Sequence, residues 1–266
     1  MIAQTRNDQM VGLLSGDLQR RYEPNLAWKT ACSAMRMLPA LRGFWPMSSF
    51  NENGDAYDLS GQGRTLTYNG NPTYNYSSLI HYIDLDGTGD YLSRTDEAGL
   101  DILGTESYVA GAAQGLTLGG WFYFNNMAAA SEYCIAKYDT FGVAQRAYGL
   151  LRIATGEARL SISNNGAALV TVTSVDILSP TAWYFLVGRF DPSAEMKVWI
   201  NGNAWTNVAA IPASIFNSTA DLTIGARTGG YELMTGRASL CFLCAAALSD
   251  SIISALFHQT RAIFNV

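Results

Sequence analysis

Apolar and polar positions alternate in short runs along most of this chain, and turn residues punctuate the runs every 8–15 positions. Asn53-Gly54, Ser60-Gly61-Gln62-Gly63, Asn69-Gly70-Asn71-Pro72 and Asp86-Gly87-Thr88-Gly89 come first. Gly119-Gly120, Asn164-Asn165-Gly166, Asp191-Pro192, Asn201-Gly202 and Gly229-Gly230 follow. The intervening runs are rich in Tyr, Phe, Trp, Val, Ile and Thr, whose side chains suit a pleated, half-buried surface. Many short strands between regular turn signals predict an all-β sandwich or barrel.

One stretch sharpens this reading. WYFLVGRF (183–190) is apolar at successive positions, so it predicts a central strand covered on both faces. Asp191 to Glu195 turn the chain. In MKVWI (196–200), Met196, Val198 and Ile200 share one face, while Lys197 and Trp199 share the other. Asn201-Gly202 then predicts a two-residue type I′ hairpin, because both residues tolerate positive φ. Strands joined in this way are antiparallel neighbours.

Helical spacing occurs twice. Leu26, Ala27, Thr30, Ala31, Ala34, Met35 and Leu38 recur at helical intervals, with Pro24 at the start and Pro39 at the stop. This short amphipathic helix either packs on its own domain or docks a partner subunit. SDSIISALFHQTRAIF (249–264) predicts a C-terminal helix with Ser249 or Ser251 as N-cap. Residues 1–20 are polar and unpatterned and read as an arm. The expected division is an arm over 1–42 and a sandwich over 43–266.

Composition narrows the function classes. Charged residues make up 15% of the 266, against about 25% in a usual soluble domain, so neighbours or uncharged polar groups cover much of the surface. The net charge of −5 and the lack of a basic stripe argue against a nucleic-acid groove and against adsorption to anionic lipid. No apolar run reaches the ~18 residues of a membrane span. The first residues lack a basic stretch followed by an apolar core. The expectation is synthesis in the cytoplasm without a signal peptide, with exposure outside only as part of an assembly. Of the four cysteines, Cys241 and Cys244 have C-x-x-C spacing, but in a strand they point to opposite faces, so buried thiols are expected.

The stretch WYFLVGRFDPSAEMKVWINGNAW (183–205) resembles the "W-x-x-v-v-g-t-F-D … m-k-l-y-v-N-G" core of concanavalin A-like domains of the laminin G-like type. FWPMSSFNENGDAYDLSGQGRTLTYNG (44–70), LDGTGDYLS (85–93), LTLGGWFYFNN (116–126), AYGLLRIATGEARLSIS (147–163), ADLTIGARTGG (220–230) and GRASLCFLCAAALSDSIISALF (236–257) resemble further strands of that family in order. The resemblance covers about residues 43–257. It implies a two-sheet antiparallel jelly-roll sandwich, here with a short N-terminal helical arm and a short C-terminal helix. It also implies that Trp45, Trp121 and Trp183 are buried. It does not fix function, because the fold serves lectins, glycosidases, adhesion domains and virion components alike.

Candidate chemistry is sparse. Glycoside hydrolysis needs two carboxylates flanking the scissile bond. Asp84-Leu85-Asp86 is the nearest match, and it feeds into a Gly-Thr-Gly turn. His81 sits on an expected strand and His258 on the terminal helix, neither near a nucleophile motif. The family resemblance implies a calcium site drawing on the Asp-x-Ser-Gly turn and the closing strand, which makes Asp58 the metal candidate. The closing strand reads Arg237-Ala238-Ser239-Leu240 where relatives carry an acid, so Asp58 alternatively caps its own turn. Asp86 and Asp90 bracket a turn that they are expected to stabilise. Asn75-Tyr76-Ser77 and Asn217-Ser218-Thr219 have the form of glycosylation sequons.

Glycan recognition pairs an exposed ring with amide or carboxylate groups. Trp199, Asn201, Trp205 and Tyr231 are the expected ligand residues, with Tyr138 and Tyr148 as further contributors, and Trp199 becomes core if its face is covered. The expected function is a non-catalytic lectin-like binding or structural module. It is expected to belong to the surface of a larger assembly such as a virus particle, to be oligomeric in that context, and to dock protein subunits through residues 1–42 while contacting glycans. No cofactor is expected beyond the calcium candidate at Asp58, and neither nucleic acid nor membrane insertion. A free carbohydrate-binding lectin is the alternative, and a glycoside hydrolase lacks its paired acids.

Overall fold

The computed structural model describes residues 26–76, 80–106, 113–127 and 130–266. The expected polar arm, Pro24 and Ser77 lie outside them. In chain order, α1 (Leu26–Arg36) precedes β1 (Leu41–Trp45), β2 (Thr67–Asn69), β3 (Thr73–Tyr76), β4 (His81–Asp86), β5 (Tyr91–Arg94), β6 (Leu116–Phe124) and β7 (Glu132–Asp139). Then come β8 (Gln145–Arg152), β9 (Glu157–Gly166), β10 (Val170–Ile177), β11 (Trp183–Asp191), β12 (Glu195–Ile200), β13 (Asn203–Asn207), β14 (Leu222–Ile224), β15 (Thr235–Cys244) and α2 (Asp250–Thr260).

The strands form two antiparallel sheets. The larger runs β13-β12-β11-β6-β15-β4-β3, with β1 also paired to β15, and the smaller runs β10-β9-β8-β7-β14-β5-β2. This is the expected jelly-roll sandwich with one helix at each end of the described chain. Its main core lies between the sheets and includes Trp45, Phe122, Leu150, Leu160, Leu186, Met196 and Val198. The Asn201-Gly202 hairpin forms between β12 and β13, with φ of 50° and 88°, and pairs Ile200 with Asn203. Positive φ at both positions matches the right-handed twist of the flanking strands.

A second core explains why β11 is apolar on both faces. Phe44, Trp121, Phe185, Val187, Trp199 and Phe242 point away from the smaller sheet and are covered by Trp28, Ala31 and Met35 of α1 and by Ile253, Leu256 and Phe257 of α2. Cys241 lies in the first core and Cys244 in the second, as strand parity requires. The Ser249 side chain caps α2 by accepting from the Ile252 N–H. The buried stripe of α1 is Trp28, Ala31 and Met35, continued by Leu38 just past the helix end, whereas Leu26, Ala27 and Thr30 are exposed. The expected face was thus rotated. Trp28 offers the largest apolar area on the helix, so its burial sets which side faces the sheet.

Charged groups also enter the interior. Glu132 and Arg152, cross-strand partners on β7 and β8, form a 2.6 Å ion pair that is fully buried. The Lys137 ammonium, also buried, contacts Asp96, the Ser218 and Ala220 carbonyls at 2.6 and 2.8 Å, and Asp101 at 3.3 Å. It ties the loop after β5 and the segment before β14 to β7. Burial raises the Asp101 carboxyl above its usual range, in opposition to the Lys137 charge.

Candidate ligand groove on the larger sheet

The two helices cover only part of the outer face of the larger sheet. Beyond them, one row of paired residues crosses five strands: Thr73 opposes Asp84, Asp84 opposes Arg237, Arg237 opposes Tyr123, and Tyr123 opposes Trp183. Residues opposed in antiparallel strands project to the same side. Adjacent strands are about 4.8 Å apart, so the three steps from Asp84 to Trp183 span about 14 Å. Ile83, Leu85, Phe122, Phe124 and Ala238 alternate with this row and fill the core beneath it.

The row is held by specific contacts. The Arg237 guanidinium lies over the Tyr82 ring at 4.8 Å and the Tyr123 ring at 4.6 Å. Its Nε donates to Asp84 Oδ1 at 2.9 Å, and Asn75 Nδ2 donates to Asp84 Oδ2 at 2.6 Å. Trp183 meets Tyr123 at 5.5 Å, Tyr82 at 5.8 Å and Phe264 at 4.9 Å between ring centroids. A cleft of about 630 Å³, lined by Tyr123, Trp183, Tyr184, Asn201 and Phe264, opens beside the row. A second cleft of about 500 Å³, lined by Val175, Ile177, Tyr184, Ile200 and Asn201, joins it at Tyr184 and Asn201. Half-buried rings and an amide line the open cleft, and the oriented ion pair stands next to it in the row; these are the ingredients of a small polar ligand site.

The four sequence-predicted ligand residues do not form one site. Asn201 lies at the junction of the clefts, where its Oδ1 also accepts from the Phe185 N–H at 2.8 Å. Trp199 is only 3% exposed: it lies in the second core, with Arg189 and Lys197 over its ring. It is covered by helices rather than by the other sheet, so it is a core residue and offers no platform. Trp205 is half-buried against the main core from the edge strand β13. Tyr231, 43% exposed, packs on Phe141 and Arg227 at the end of the smaller sheet. Tyr138 and Tyr148 are buried. Trp45 and Trp121 are buried as expected, but Trp183 is half-buried, because the helices stop short of it.

Asp58 does not fit a calcium ion. Its Oδ1 accepts from the Phe44 and Ser60 N–H groups at 3.0 and 2.8 Å, and its Oδ2 from Ser60 Oγ and the Arg64 N–H at 2.8 and 2.9 Å. Both oxygens thus accept bonds that close the turn and tie it to β1. The closing strand over 237–240 reads Arg-Ala-Ser-Leu and supplies no second carboxylate. Among the described residues, no three His, Cys, Asp or Glu side chains gather as a metal site requires. Asp86 takes the Thr88 N–H and hydroxyl at 2.7 and 2.5 Å, and these bonds hold its carboxyl below the usual range. Asp90 accepts from the Asn71 and Asp86 N–H groups. Asp84 and Asp86 thus serve an ion pair and a turn, and the Asp86 carboxyl is held down, the opposite of what a proton donor needs.

The groove residues missed from sequence are Asp84, Arg237, Tyr123, Trp183 and Tyr82. The available signal was parity: within HYIDLD, WFYF and GRAS, Tyr82, Asp84, Tyr123 and Arg237 alternate with the core positions, whereas Trp183 belongs to a strand apolar on both faces, where alternation gives no signal.

A sequence profile of the concanavalin A-like lectin/glucanases superfamily matches residues 86–250. No curated protein matched the chain. Among solved structures, the binding domain of botulinum neurotoxin DC in complex with SialylT is similar, with a TM-score of 0.62 and 13% identity over 85% of this chain and 52% of that one. The same domain in complex with rat synaptotagmin II gives 0.61 and 15%, over 83% and 52%. The binding domain of Paraclostridial Mosquitocidal Protein 1 gives 0.62 and 12%, over 84% and 52%. The chain spans about half the length of these structures, and at such identities the likeness is one of fold. Among the described residues, no helix is long and apolar enough to cross a membrane.

Proposed function

Since the chain belongs to the concanavalin A-like lectin/glucanase superfamily, we propose that it is a non-catalytic binding module whose ligand is a glycan held on the outer face of the larger sheet. The observation that carries this reading is the in-register row Asp84–Arg237–Tyr123–Trp183, flanked by an open cleft. Trp183 and Tyr123 would stack on the C–H face of a sugar, while Arg237, Asp84 and Asn201 would bond its hydroxyls. Trp183→Ala is expected to weaken binding about thirtyfold on a glycan array, in line with about 2 kcal/mol for a central Trp in an interface. Unchanged binding by a folded Trp183→Ala variant would refute the placement.

A finer reading is that the module decorates a larger assembly such as a virus particle. In it, residues 43–266 bind the ligand and residues 1–42 dock a protein partner. The outward side of α1 and of the turn after it supports this, since Leu26 and Met37 are 80% and 84% exposed while the inner side is committed to the sandwich. Removing all of residues 1–42 would strip the cover from Phe44 and Phe242, so the test removes residues 1–25 and adds the exposed-site substitutions Leu26→Ser and Met37→Ser in the same variant. Size-exclusion should then show loss of an oligomer or of particle association without a change in melting temperature. An unchanged assembly state would contradict the docking role.

A further inference from the structure

We propose that the Asp84–Arg237 pair selects uncharged glycans with neighbouring hydroxyls and rejects acidic ones. This inference rests on the glycan-groove reading above and specifies the ligand class. The Arg237 guanidinium lies over two tyrosine rings, and its N–H groups point along its own plane. One of them, on Nε, is spent on Asp84 Oδ1. Neither Nη nitrogen has a hydrogen-bond partner among the described residues, and about a third of each side chain of the pair is exposed. On the other partner, Asp84 Oδ2 receives Asn75 Nδ2 and retains accepting capacity.

An adjacent donor edge and acceptor edge match two adjacent sugar hydroxyls, one accepting from Arg237 and the other donating to Asp84. Such a pair of bonds involves charged partners and is therefore strong and directional. An acidic sugar meets different physics. Asp84 cancels the Arg237 charge, and Asp86 follows two residues along the same face of β4. Its carboxylate is kept ionised by the Thr88 turn. The local balance of two carboxylates and one guanidinium is negative, as is the whole chain at −5. A carboxylated sugar approaching the row would be repelled, most strongly at low ionic strength.

The test is an array of neutral oligosaccharides printed beside the same chains carrying sialic or uronic acid, probed with the full chain at low and moderate salt. Neutral members should bind at least tenfold more tightly than their acidic counterparts, and salt should narrow the gap. Asp86→Asn, which keeps an acceptor for the Thr88 turn, should raise binding of the acidic members severalfold and leave the neutral ones unchanged. Arg237→Lys keeps the charge but loses the planar fork, and should weaken neutral binding at least tenfold with the melting temperature preserved. Equal or stronger binding of the acidic chains, abolished by Trp183→Ala, would overturn the selectivity and leave the groove reading intact. Binding of no member, neutral or acidic, would overturn both.

Discussion

Arg152→Met is expected to destabilise the fold by about 3–5 kcal/mol, because it leaves the Glu132 carboxylate buried without its charge partner. Neither side chain reaches solvent. Arg152 also donates to the Ile153 and Ala130 carbonyls at 3.0 and 2.9 Å, and Glu132 Oε1 accepts from the Thr235 N–H at 2.8 Å. The pair therefore links β7, β8 and the start of β15 where the sandwich would otherwise present unpaired backbone groups. A loss of this size is a large fraction of the stability of about 5–15 kcal/mol usual for a domain. Urea unfolding should show a lower midpoint with an unchanged slope. Adding Glu132→Gln should recover part of the loss, since the amide keeps the acceptor for Thr235 without an unpaired charge. A single variant as stable as the wild type would show that water reaches the pair.

Trp121→Ala should cost a similar amount, about 3–5 kcal/mol, by opening a cavity in the second core. The indole is fully buried and donates to Thr260 Oγ1 at 2.9 Å. It stacks on Phe264 at 4.2 Å and 10°, and lies beside Phe185 and Phe257. The consequence reaches the groove, because Phe264 in turn meets the edge of Trp183. Thermal melting should therefore fall, and glycan affinity should weaken in the folded fraction even though residue 121 touches no cleft. A variant that melts earlier but binds normally would show that the terminal segment is not what positions Trp183.

The fold was legible because its signals are local. Asn201-Gly202 marks a hairpin through its backbone freedom, Ser249 marks a helix start through its cap, and the apolar continuity of residues 183–190 marks a strand covered twice. The groove was not legible, because its residues belong to strands far apart in sequence. Asp84 and Arg237 are separated by 153 positions. Alternation tells which residues of one strand share a face, but not which strands become neighbours. Trp199 and Trp183 show the same limit from opposite sides. Both lie on the outer face of the larger sheet, and their fates differ because the helical layer covers Trp199, whereas at Trp183 Phe264 of the terminal segment packs against the ring and leaves it open to the cleft. The rotated stripe of α1 is a milder case, in which a single Trp outweighed several small residues of equal spacing.

The most direct test follows the indole N–H signals of the six tryptophans by NMR while a neutral oligosaccharide selected on the array is titrated into the wild-type protein. A ligand seated on the row from Asp84 to Trp183 should shift the Trp183 signal in a saturable way and leave Trp199 and Trp205 still. Saturable binding that moves Trp205, or that leaves Trp183 unmoved, would contradict the account.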